Sequence, residues 1–396
     1  MMTLTATLLA TIAAANPLAD WPKGCEPETI GRRVTEQFLS ADPERYAPKG
    51  FDGKFGNGTA VHYAMVSLWV NAIDFAVLSG NAELESRLLK RFDPYYPSGT
   101  LADHISKPKH VDFYIFGALP YTVYRRTGDR RALEMGNFYA DGQWAMPQVD
   151  DHERTFTPWL LKTAKLHNLD YASELKWWKA GYTPQTRLWI DDMYMITVLQ
   201  TRAYAATGDR KYLDRTAYEM CLYIDRLQLK EGPAAGLFYH EPSVPFVWAR
   251  GAGWMAAGMA IVLSYMPEGH PHYAKIMDGY RKMMSALLKY QRKDGLWGQV
   301  VTDSEMWSET SGSAMYAYAF IEGVRHGWLD GRYAEAARTA YLALCARLDE
   351  YANLAGVCEG TGARNDRAWY ENRRRINGDP HGQAPMLWIC NALLSR

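Results

Sequence analysis

The chain has 396 residues, 48% of them hydrophobic, with 44 basic and 44 acidic side chains and a formal net charge of zero. That is enough apolar material for a large core, and it excludes a disordered chain. The balanced charge leaves no bulk field to hold nucleic acid or an anionic membrane, so an anionic ligand has to be caught by local groups.

The opening MMTLTATLLATIAAANPLADWP carries an apolar run from Leu4 to Ala15 that ends in small residues but lacks a positively charged start. This is the outline of a secretory leader over residues 1–20, and it sets the expectation of a periplasmic or secreted protein, with a cytoplasmic one as the alternative. One folded domain over residues 21–396 is expected to follow, because no break separates regions of different composition. No other stretch is apolar for long enough to span a bilayer. Five cysteines (Cys25, Cys221, Cys345, Cys358, Cys390) are scattered without CxxC or Cys/His spacing, which predicts mostly buried thiols and no metal site. The 14 Trp and 26 Tyr suit the apolar faces of sugars as well as helix cores.

Six segments then share one style, in which polar or small residues run into an apolar helix. They begin at Thr59, His110, Leu188, Trp248, Glu309 and Pro380. Between them lie one-sided amphipathic helices, such as those from Arg210 and His272. An apolar inner helix alternating six times with a more charged outer one describes an all-α (α/α)6 barrel. GLFYH (Gly236 to His240) and GLWGQVV (Gly295 to Val301) are too short for more than turns or ribbons at the rim. In such a barrel the inner-helix starts converge on one mouth.

Chemistry-bearing residues cluster at those starts. HVDFY places Asp112 two residues after His110, and LWIDDMYM places Asp191 and Asp192 between Trp189 and Tyr194. Adjacent helical positions point about 100° apart, so only one of the two neighbouring acids faces the axis. Carboxylates at equivalent places on neighbouring helices suit acid/base work on a sugar, although acids also favour the positive end of a helix dipole. WARGAGW sets Arg250 between Trp248 and Trp254, which suits a guanidinium clamp on a carboxylate beside stacking rings, or an internal ion pair. ETSGSAM offers the Ser311 and Ser313 hydroxyls, for capping or for a substrate oxygen. His62, His240 and His381 stand at similar rim positions, where each is a structural or a binding residue.

Taken in order, HVDFYIFGALPYTVYRRTGD, LWIDDMYM, GLFYH, WARGAGW, QRKDGLWGQVV, ETSGSAMYAYAF and GDPHGQAP resemble the unsaturated glucuronyl and rhamnogalacturonyl hydrolases, glycoside hydrolase family 105 with its sister family 88. The resemblance covers roughly residues 55–396. Ala252 departs from it, where many members carry a polar residue between the two glycines. The resemblance implies that Asp191 is proton donor and water activator, with Asp112 a second essential acid. The implied substrate is an oligosaccharide ending in an unsaturated uronate. Protonating C4 of its enol ether yields an oxocarbenium ion that water captures at C5, and this route needs no cofactor and no metal. An inverting glycosidase or sugar epimerase on the same toroid, or a carbohydrate-binding protein without catalysis, are the alternatives.

Overall fold

The computed structural model describes residues 16–43, 46–53, 61–105, 110–149 and 170–395. The leader-like run from Leu4 to Ala15 and the first segment's start at Thr59 lie outside them. Helix α1 (Pro27–Ser40) comes first, followed by the hairpin of α2 (Tyr63–Leu78) and α3 (Ala82–Lys90). The next hairpin is α4 (Val111–Tyr114), continued through a 3-10 turn into α5 (Ala118–Thr127), with α6 (Arg130–Gly142). After α7 (Tyr171–Lys179) come the hairpins α8 (Asp192–Thr207) with α9 (Arg210–Leu227), and α10 (Ala249–Tyr265) with α11 (Tyr273–Tyr290). The series ends with α12 (Thr310–Arg325), α13 (Gly331–Cys345), the short α14 (Arg367–Glu371) and α15 (Pro380–Leu394).

Helices α2, α5, α8, α10, α12 and α15 each pack on the next, and α15 returns to α2, so they close a ring. Several are apolar on nearly every face, as in YAMVSLWVNAIDFAVL and ARGAGWMAAGMAIVLSY, because the ring buries one side and the outer helices the other. The outer helices are apolar on one face only, and α1 completes their circle by packing on α15 and α2. This is the expected (α/α)6 barrel.

One turn device is used twice between inner and outer helices. Thr127-Gly128-Asp129 and Thr207-Gly208-Asp209 place glycine at φ 72° and 73°, where it ends the inner helix by donating its N–H to Tyr124 and Tyr204. Asp129 and Asp209 then cap the outer helices by accepting from the N–H of Arg131 and Lys211.

The strands are minimal, as expected. Strand β1 (Trp297–Gly298) pairs antiparallel with β2 (Ser308–Glu309), and β3 (Val357–Cys358) with β4 (Arg375–Ile376). GLFYH supplies only an isolated bridge from Phe238 to Gln228. All five cysteines are free thiols, with Cys221, Cys358 and Cys390 buried.

Candidate active site

Six residues stand at the N-caps of the inner hairpins: His62 before α2, His110 before α4, Asp191 before α8, Trp248 before α10, Glu309 before α12 and Asp379 before α15. The starts meet closely. The rings of His62 and His381 lie 5.5 Å apart, and a Cβ added to Gly312 of α12 would fall 2.5 Å from the backbone of Ala249 in α10. Gly251 brings α10 against the acid at the head of α8, since a Cβ there would lie 2.8 Å from the Trp248 ring and 3.4 Å from Asp191 Oδ2.

The two neighbouring acids have opposite surroundings. Asp192 is fully buried and takes a forked contact from Arg187, with Nη2 at 2.7 Å and Nε at 3.0 and 3.1 Å, while the Tyr223 hydroxyl donates to it at 3.2 Å. It is therefore a fixed structural anion. Asp191 is 9% exposed, and among the described residues its Oδ2 has no hydrogen-bond partner. Burial, joined by the charges of Asp192 and Asp112 and opposed by Arg250, pushes its carboxyl up to about 7.

The approach to Asp191 is held under strain. Leu188 sits at φ 59°, a left-handed conformation that costs a branched side chain about 1 kcal/mol or more. Its neighbours hold it there, because Arg187 is locked to Asp192 and the Ile190 N–H donates to the His240 carbonyl at 3.0 Å. Further back, Glu219 of α9 pins the preceding turn by accepting from the Thr183 N–H at 3.1 Å and the Thr186 hydroxyl at 2.6 Å.

Asp112 is the second acid. Burial works against its ionisation, but the neighbouring His110 and then Arg187 outweigh it and hold the carboxyl below the usual carboxylate range. His110 Nδ1 lies 3.3 Å from both the amide and the carboxylate of Asp112, and it caps α4 by accepting from that amide. His62 caps α2 by accepting from the Ala64 N–H at 3.2 Å, and burial pushes its imidazole down to about 3, which keeps it neutral.

His240 stands beside Asp191, its Nε2 at 3.6 Å from Oδ2. An indole only donates, so the 2.6 Å contact from Trp189 Nε1 makes Nε2 an acceptor and leaves the proton on Nδ1, which faces the Tyr370 hydroxyl at 2.7 Å. Arg187 Cζ lies 4.4 Å from the Trp189 ring, so one chain of contacts runs from Asp192 through Arg187, Trp189 and His240 to Asp191.

Five expected binding residues make contacts within the protein. Arg250 is 1% exposed; it donates from Nη1 to the Cys358 carbonyl and from Nη2 to the Glu359 carbonyl at 2.7 Å. Nη1 and Nη2 therefore tie β3 and the residue after it to α10, while Nε has no hydrogen-bond partner among the described residues. Ser311 Oγ donates to Glu309 at 2.6 Å, and Ser313 Oγ bridges the Glu309 carbonyl and the Trp297 N–H, so both serve the start of α12. Trp248 and Trp254 are buried, the first with Arg250 over its ring at 4.6 Å, and neither offers a face for stacking. Arg250→Lys is accordingly expected to act through this tie. It keeps the charge but cannot reach both carbonyls, so unfolding midpoints should fall by the equivalent of about 1–3 kcal/mol. A substrate KM change with no loss of stability would restore Arg250 as a direct clamp.

Sequence reasoning passed over Arg187, Tyr63, Tyr370 and the carboxylates of Glu309 and Asp379. Glu309 accepts from the N–H groups of Ser311, Gly312 and Cys358. Arg187, five residues before its partner Asp192, left a local signal, as did Glu309 and Asp379. Tyr63 meets His381 across 318 positions, which no spacing reveals.

The chain has relatives of known description. It is 37% identical over 100 residues, 24% of this chain and 26% of the relative, to an unsaturated 3S-rhamnoglycuronyl hydrolase of Formosa agariphila. It is 26% identical over 214 residues, 52% of this chain and 60% of the relative, to the unsaturated rhamnogalacturonyl hydrolase YesR of Bacillus subtilis. These matches thus span less than two thirds of either relative's length. In architecture it is similar to a crystal structure of a possible GH105 member from Salmonella enterica serovar Paratyphi A, with TM-score 0.73 and 17% identity over 96% of this chain and 97% of that one. Residues 54–395 match the sequence profile of Glycosyl Hydrolase Family 88, and the chain belongs to that family.

Proposed function

We propose that the protein removes a terminal 4,5-unsaturated uronic acid from the oligosaccharides that polysaccharide lyases release, by hydrating the C4=C5 bond. The observation that carries this reading is the pair of acids with opposite protonation preferences. Asp191 is buried, its Oδ2 is unpartnered among the described residues and its carboxyl is pushed up to about 7, whereas Asp112 is held ionised. A carboxyl that keeps its proton near neutrality can give it to C4 of an enol ether. The oxocarbenium ion that follows is stabilised by the Asp112 carboxylate, and Asp191, now a carboxylate, takes a proton from the water that adds at C5. The hemiketal opens and the attached sugar leaves. The relatives named for unsaturated uronyl substrates support the same reading.

Turnover is followed as loss of the ultraviolet absorbance of the conjugated enol ether, using lyase digests of several polyuronides. Activity on at least one digest, with none on the saturated analogue, is the expected result; cleavage of the saturated analogue at a comparable rate would replace hydration by ordinary glycoside hydrolysis. The pH profile carries a sign. The active form has Asp191 protonated, so kcat/KM should fall about tenfold per pH unit above about 7. Loss on the acid side waits for protonation of Asp112, far lower. A profile that instead rises through pH 7 would take Asp191 out of the donor role.

A further inference from the structure

The first and last inner helices bring together a group of three residues that the acids do not use. Asp379 Oδ1 lies 2.6 Å from His381 Nδ1, and His381 Nε2 lies 2.8 Å from the Tyr63 hydroxyl. We propose that Tyr63 is a further catalytic residue, its phenol oxygen held by His381 and Asp379 as a hydrogen-bond acceptor for the water that adds to the substrate. This rests on the hydration reading above and assigns one of its steps.

The direction of the hydrogen bonds makes the argument. Asp379 also accepts from the His381 N–H at 2.9 Å, and although burial opposes it, His381 holds this carboxyl below its ordinary value. An ionised carboxylate can only accept, so the ring proton sits on Nδ1 and Nε2 is bare. Burial lowers the His381 imidazole despite Asp379, so no second ring proton returns. Nε2 must then accept the Tyr63 proton. The phenol's single donor is consumed, and only its lone pairs remain. Burial, with the charge of Asp112 added, raises the phenol well above its ordinary value, so it stays neutral.

The ring itself is clamped. Its centroid lies 4.0 Å from that of His62, 5.2 Å from His381 and 6.2 Å from Trp254. Tyr63 is the first residue of α2, so it stands at the mouth where Asp112 and Asp191 head their own inner helices. An acceptor-only oxygen turns away a carboxylate and takes an O–H donor. In the step assigned here, the water oxygen bonds C5 and one water proton passes to the Asp191 carboxylate, which has just given its own to C4. The other O–H donates to Tyr63 throughout, so no net charge enters the Asp379–His381–Tyr63 group.

Tyr63→Phe removes one oxygen and keeps the clamped ring. On a substrate that the parent enzyme turns over, kcat should fall about 10- to 100-fold with KM within about twofold, the loss of one hydrogen bond made to the reacting water. His381→Gln should also lower kcat, yet cost nothing further in the Tyr63→Phe background, because both changes act through the same oxygen. Unchanged kcat in Tyr63→Phe, a raised KM at unchanged kcat, or losses that multiply in the double variant would each overturn the proposal. Nitrogen-15 NMR of the histidine rings tests the arrangement without any turnover: His381 protonated at Nδ1 supports it, and at Nε2 overturns it. A parent enzyme inactive on every unsaturated uronide would end the hydration reading instead, a result that the Tyr63 variants cannot produce.

Discussion

Asp191→Asn should lower kcat by about 10² to 10⁴ and, at the same time, raise the stability of the fold in alkaline buffer. The first effect follows from removing the proton donor while leaving shape and hydrogen-bonding capacity almost intact. The second follows from linkage. The carboxyl binds its proton up to about pH 7 in the folded protein but only to about 3.8 when unfolded, so the folded state holds more protons between these values. Stability contributed by the group is fully present below pH 3.8 and is lost as pH rises through 7. Three pH units correspond to about 4 kcal/mol at most, and solvent relaxation around a side chain with some exposure reduces this to roughly 2 kcal/mol. Thermal unfolding at pH 8 should therefore show the variant above the parent, the gap closing toward pH 4. An active variant, or one that is less stable at pH 8, contradicts this account of Asp191.

The neighbouring substitution should do the reverse. Asp192→Asn leaves the Arg187 guanidinium buried with its forked partner gone, which costs about 3–5 kcal/mol. Whatever fraction remains folded keeps its donor, so kcat per folded molecule should stay within an order of magnitude of the parent. Urea unfolding read beside activity separates the two quantities. A stable but inactive Asp192→Asn protein would exchange the roles of the two acids.

Much of this was legible because its causes are local. Near-continuous apolar runs marked the inner helices, and the two Thr-Gly-Asp turns need only a left-handed glycine and a capping aspartate within three residues. Helix geometry required that Asp191 and Asp192 diverge, and the partner that decides between them, Arg187, lies five residues upstream. The rest depended on distant contacts. WARGAGW looks like an open clamp, but the carbonyls that take its guanidinium lie 108 and 109 positions away at Cys358 and Glu359. ETSGSAM offers two hydroxyls for capping or for substrate, and only the distant Trp297 amide, with Glu309, shows them serving the helix start. His381 and Tyr63 become partners only because the last inner helix closes the ring against the first. Backbone strain at Leu188 leaves no mark in composition at all.

The hydration claim itself is tested most directly by isotope placement. With a turned-over substrate in ¹⁸O-water and D₂O, the account predicts ¹⁸O at C5 and deuterium at C4 of the released uronate, with the original oxygen retained on the anomeric carbon at the moment of cleavage. Label arriving first at the anomeric carbon, with no deuterium at C4, would contradict it and make the protein an ordinary glycosidase.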